Sequence, residues 1–194
     1  MKSVVKVVGY SFVAVFFLVL TAAGYSRSLP RTRDGYYITG SGIRVKGLFF
    51  VDVDVYQATH QMRVIPRDTS KFGIVNADVD KRTIIKMLRN VKLKKILKNS
   101  RNAYKINGCE ENDKVDRLLS VLDDDLKEGD TFMIAYDSAT KTVTAYHNRN
   151  RASVKGYDFM RYTWLTWFGK IDMPELGDML IARLNPPPIP IKSR

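Results

Sequence analysis

The segment from Gly40 to Ala58 constrains the fold more than any other part of the chain. Within it Phe49, Val51, Val53 and Val55 alternate with Phe50, Asp52, Asp54 and Tyr56, the period-two pattern of a strand long enough to cross a sheet. One face of that strand is apolar. The other sets two carboxylates between aromatics, so polar groups, cations or water are expected beside it. Upstream, Tyr36 to Thr39 reads as a short strand, Gly40-Ser41-Gly42 as a turn and Ile43 to Lys46 as the return. Gly47 then marks a bulge or break, because glycine within a strand adds no packing.

A second strand follows from the alternation of Thr83, Ile85 and Met87 with Ile84, Lys86 and Leu88. At Lys92 the period lengthens. Leu93, Ile96, Leu97, Ser100 and Tyr104 share one helical stripe, Lys92, Lys94, Lys95, Lys98 and Arg101 occupy the rest, and Gly108 supplies the stop. Asp113 to Lys127 predicts another helix, with Asp123-Asp124-Asp125 near its C-terminal end, where acidic charge opposes the helix dipole. Thr131 to Tyr136 and Thr142 to His147 form a hairpin around Asp137 to Lys141, and Ala152 to Lys155 adds a brief strand. The run from Asp158 to Phe168 is apolar over most of its circumference, so that helix packs in the core or lines a cavity; Asp158 caps it and Gly169 ends it. Pro174 opens a last helix reaching Leu184. His60 to Lys71, interrupted by Pro66, reads as a weak strand or loop, with His60 at the surface. These elements predict one α+β domain, an open antiparallel β-sheet of about six or seven strands with helices packed on one face.

The chain ends differ in character from this domain. Lys2 and Lys6 precede an apolar run from Val7 to Leu20 and small residues at Thr21-Ala22-Ala23-Gly24, the layout of a signal peptide over residues 1–23. An uncleaved anchor is the alternative, since Val4 to Ala23 approaches the ~20 residues that span a bilayer. Export, periplasmic or secreted, is the expectation. The domain would then occupy residues 35–185, and residues 186–194, with four prolines, form an extended or disordered proline-rich tail.

A single cysteine, Cys109, excludes an internal disulfide. With His60 and His147 it is too sparse for a transition-metal site, and the aspartate run lacks calcium-loop spacing, so neither metal nor cofactor is expected. The net charge of +12 favours anionic ligands, acidic partners or an anionic membrane surface. The basic helix carries no aromatics interleaved for base stacking, which argues against nucleic acid. It fits a membrane surface, or simply a solvated face over a packed stripe.

Gly40-x-Gly42-Ile43-Arg44, with Lys81 to Val91, Lys127-Glu128-Gly129-Asp130, Gly156-Tyr157-Asp158-Phe159 and Thr166-Trp167-Phe168-Gly169 following in order, resembles the chalcone isomerase-like family, particularly its exported bacterial members. The resemblance implies an open antiparallel sheet with helices on one side. Plant enzymes of this family cyclise chalcones, and relatives without that activity bind fatty acids. It also implies that Arg44 meets the anionic oxygen or carboxylate of a ligand and that Thr166 supplies a hydroxyl nearby. Val51 aligns with a threonine of the isomerases, and Asp52 with a tyrosine of the binding members. Ile96 and Ala103 replace the tyrosine and asparagine of the isomerase site, although Asn102 and Tyr104 flank the latter. With those donors missing, chalcone cyclisation is not expected and no catalytic residue is assigned. Arg44, Asp52, Asn102, Tyr104 and Thr166 are the candidate ligand-binding residues. An internal pair between Arg44 and Asp52 or Asp54 is the competing role for the arginine. Three functions are compatible with this reading: a non-enzymatic binder of a fatty acid-like anionic ligand, an isomerase or lyase using Arg44 and Thr166, and an envelope protein-interaction module.

Overall fold

The computed structural model describes residues 28–48 and 51–185, so the expectations for the leader and the tail concern residues outside it. In chain order the elements are β1 (Tyr37–Leu48), β2 (Val51–Met62), α1 (Lys71–Asn76), β3 (Lys81–Met87), α2 (Leu93–Ile106), α3 (Asn112–Leu119), β4 (Thr131–Asp137), β5 (Thr142–His147), β6 (Asn150–Lys155), α4 (Tyr157–Phe168) and α5 (Pro174–Leu180). The six strands form one sheet in the order of the chain, each antiparallel to the next. Lys81, Thr83, Ile85 and Met87 of β3 are buried on the side that faces the helices, while Lys86 on the other side is exposed.

β1 runs straight through Gly40-Ser41-Gly42, where a turn was expected. The glycines allow close approach instead. A Cβ at Gly40 would lie 2.2 Å from the Met179 backbone oxygen, and one at Gly42 would lie 2.9 Å from Leu176 Cδ1, so α5 could not seat on β1 with side chains there. Nor does the bulge fall at Gly47. Arg44 pairs with Tyr56 and Val45 with Asp54, which leaves Val55 as the extra residue on β2.

The predicted helix over 113–127 is shorter, ending at Leu119, and the aspartate run lies beyond it. That run assists another helix. Asp125 accepts the Leu93 backbone N–H at 2.9 Å and the Lys92 ammonium at 2.8 Å, so its charge sits at the N-terminal end of α2, where the dipole favours it. The Lys92 ammonium and the Leu93 N–H hold the Asp125 carboxyl below its usual range. Helix α1, six residues capped by the Ser70 hydroxyl, follows the stretch without clear period. α5 ends at Leu180 instead of continuing to Leu184.

The core is centred on α4. Phe159, Met160, Thr163 and Trp164 are fully buried, as its all-round apolar sequence requires. His60, expected at the surface, is buried beneath it on β2. Trp164 Nε1 donates to His60 Nε2 at 2.9 Å, so the proton of a neutral imidazole sits on Nδ1, which donates to Thr39 Oγ1 at 2.7 Å. Thr39 in turn donates to the Leu180 carbonyl at 2.8 Å, tying α4, β2, β1 and α5 together. Lys81 is also fully buried, with Nζ donating to the carbonyls of Ile74 at 2.7 Å, Val75 at 3.1 Å and Ala77 at 2.9 Å, and standing 4.9 Å from the centre of a Trp164 ring.

Burial, helped by the Lys81 charge, pushes the His60 imidazole down from 6.5 to about 3. The unfolded chain therefore takes up this proton first, and stability is expected to fall as pH drops from about 6.5 towards 3. One such proton corresponds to a slope of about 1.4 kcal/mol per pH unit. Urea unfolding at pH 7.5, 5.5 and 4.5 measures it. His60→Gln should lower stability at pH 7.5 and flatten this part of the profile; an unchanged profile would reject the assignment.

Candidate functional site

Between α2 and the sheet lies a cavity of about 390 Å³. Its interior is apolar, formed by Ile85 and Met87 of β3, Phe132 and Ile134 of β4, and Leu122 and Leu126 from the segment after α3. α2 roofs it, contributing Ile96 and Ala103 to the lining while burying only Tyr104 of its own residues. The lining residues that remain exposed, Lys46, Asn102, Ile106, Lys170 and Asp172 among them, mark the mouth.

Arg44 lines the cavity beside this mouth, its side chain 15% exposed and bonded to the carboxylate of Asp172, which is 67% exposed. Tyr56 stands directly across from it on β2. The bulge makes this arrangement. Two residues of β2 then oppose one of β1, and Val55 and Tyr56 both line the cavity. The same irregularity switches the face of every residue before it. Asp54 and Asp52 consequently pair with Val45 and Gly47, on the side of the sheet away from Arg44, and both are exposed. Asp52, a candidate through the family resemblance, lies outside the cavity and does not pair with the arginine.

Burial pushes the Tyr56 phenol above its ordinary value, with the Arg44 charge and the Trp167 indole opposing it. It therefore keeps its proton at neutral pH and acts as a donor. A guanidinium and a phenol side by side can both donate to one anionic group, and the cavity beside them is apolar.

A family model of chalcone isomerase-like proteins matches residues 23–175. The chain belongs to the chalcone isomerase-like family. A crystal structure of a fatty-acid-binding protein from Arabidopsis thaliana has the same fold, with a TM-score of 0.60 and 15% identity over 80% of this chain and 93% of that one. No protein of curated function matches the sequence.

Within this chalcone isomerase-like fold, Arg44, Asn102, Tyr104 and Thr166 all line the cavity, but their hydrogen bonds differ from what a reacting site needs. Thr166 Oγ1 donates to the Thr163 carbonyl at 2.7 Å, committing its proton to its own helix. The Tyr104 hydroxyl donates to Thr163 Oγ1 at 3.0 Å, and its ring stacks on Phe159 at 5.8 Å. Burial raises the Tyr104 phenol too, with the bond to Thr163 opposing it, so it is no base. Asn102 is exposed at the rim. Among the described residues no group of His, Cys, Asp and Glu is arranged to hold a metal ion.

Tyr56 is the site residue that the sequence reading missed. The family resemblance set Asp52 in the position of a tyrosine, but Asp52 pairs with Gly47 on the other side of the sheet, and Tyr56 is the residue across from Arg44. Only the cross-strand register identifies the tyrosine that stands beside Arg44.

Proposed function

We propose that this protein is a non-catalytic binder of an apolar carboxylate such as a fatty acid, exported from the cell by its leader. The observation that carries the reading is the Arg44–Tyr56 pair at the mouth of the apolar cavity. A carboxylate there receives two hydrogen bonds, one of them charged, and the hydrocarbon tail runs inward past Met87 and Phe132. A cavity of about 390 Å³ falls in the range of small-molecule sites. Its apolar interior offers no placed acid or base for turnover. Similarity of fold to a fatty-acid-binding protein supports the same class of ligand.

Displacement of a fluorescent fatty acid tests this, alongside mass spectrometry of molecules that accompany the native protein. Saturable, one-to-one binding of a long-chain acid but not of the matching alcohol is expected. Equal affinity for the two, or enzyme-dependent consumption of a chalcone, would overturn the reading.

Asp172 enters this equilibrium as a competitor, because its carboxylate bonds the guanidinium that the ligand needs. Exposed as it is, it can swing into water at little cost. Asp172→Asn should therefore tighten acid binding by a few-fold, since exposed ion pairs are worth ~0–1 kcal/mol, and should leave alcohol binding unchanged. The same displacement titration reads both.

A further inference from the structure

The roof of the cavity is also the most basic element of the domain. From Lys92 to Asn107 the sequence contains no acidic residue. Lys94, Lys98, Arg101 and Lys105 recur at the spacing that places them on one face of α2, and all are exposed. Arg101 pairs with Asp116 at 2.6 Å. Lys94, Lys98 and Lys105 make no ion pair among the described residues, and neither do Lys46 and Lys170 at the mouth.

We infer that α2 docks this protein on an anionic lipid surface, with the lysine face against the headgroups and the cavity mouth beside them. Three observations select this occupant. Lysine ammoniums on flexible stems suit a field of mobile headgroups, where each acts as a point charge. Ile106, 41% exposed, adds an apolar side chain at the rim of the mouth, where the acyl region begins. A second copy of the chain would bring like charge against like, and the exposed face of α2 carries no aromatic side chain on which nucleic-acid bases could stack.

α2 packs on α3 and α4 and is anchored in the core by Tyr104, so its lysine face can meet headgroups with the helix held in place. This inference does not rest on the carboxylate-binding reading, and the two are separable by experiment.

The full chain, wild type and with Lys94→Glu, Lys98→Glu and Lys105→Glu combined, is titrated with phosphatidylcholine vesicles containing 0 or 30% phosphatidylglycerol. Affinity contributed by the leader is common to both proteins and cancels in the comparison. Wild type should prefer the anionic vesicles, and 0.5 M NaCl should remove the preference. Each lysine near such a surface contributes roughly fivefold, so the triple variant should lose roughly 100-fold in partitioning to anionic vesicles. Binding of free fatty acid in solution, and the melting temperature, should be unchanged. Equal partitioning of wild type to neutral and anionic vesicles, equal partitioning of the variant and wild type, or salt-sensitive binding of an RNA oligonucleotide without vesicle binding would each overturn the inference. Loss of fatty-acid binding by wild type, with vesicle docking intact, would instead reject the proposed function.

Discussion

Arg44→Ala is expected to weaken binding of a long-chain fatty acid by about 10- to 150-fold, the equivalent of ~1.5–3 kcal/mol for a hydrogen bond to a charged group. The melting temperature without ligand should barely move. The reason is the identity of the arginine's partner. Pairing with a buried carboxylate would make the arginine a strut, and its removal would cost ~3–5 kcal/mol. Asp172 is instead largely exposed, so losing the guanidinium returns that carboxylate to water. Combining Arg44→Ala with Asp172→Asn gives the control: the asparagine change, which tightens binding alone, should have no effect once the guanidinium is gone. Tyr56→Phe should cost less than the arginine change, because it removes one uncharged donor. A fall in melting temperature of many degrees for Arg44→Ala, or affinity for the acid equal to wild type, would remove the arginine from the site.

Lys81→Met should produce the larger loss of stability, roughly 3–5 kcal/mol, since each buried acceptor left unpaired costs about 1–3 kcal/mol. The ammonium supplies three donors to three carbonyls at the end of α1, where the helix has no further N–H groups to offer them. Methionine fills nearly the same volume against Trp164 and supplies none. Burial pushes the Lys81 ammonium down to about 7, with Asp78 opposing, so the comparison is best made at pH 6, where all three protons are in place. A fall of roughly 10 °C in melting temperature is expected for a domain of this size. Fatty-acid affinity measured well below that transition should stay near wild type, because Lys81 does not line the cavity. Stability equal to wild type would show that water can replace the ammonium.

These two residues also show what could be read without coordinates. Arg44 stood out because its glycine-flanked motif resembles a known family. Lys81 stood at the head of a strand pattern with nothing in its sequence neighbourhood to mark it as buried. Its burial depends on α1, a six-residue helix that follows the stretch without clear period and is too short to show one of its own. His60 escaped for a related reason. A lone histidine at the start of an uneven stretch reads as surface, and only the meeting of β2 with Trp164 and Thr39 supplies the two partners that let it be buried neutral.

By itself the sequence determined the α+β class, the alternating strands β2 to β5, the apolar helix α4, the basic helix α2 and the family to which the chain belongs. Those features are local or nearly so: a period of 2 or 3.6, a glycine stop, an ordered set of short motifs. Tertiary structure decided the rest. The docking of α5 left Gly40 and Gly42 bare within a continuous strand, and the extra residue at Val55 set Tyr56, not Asp52, beside Arg44. A strand's pattern states which residues alternate, but which side faces the core, and where one added residue reverses it, is fixed by the neighbouring strand and the helices packed above it.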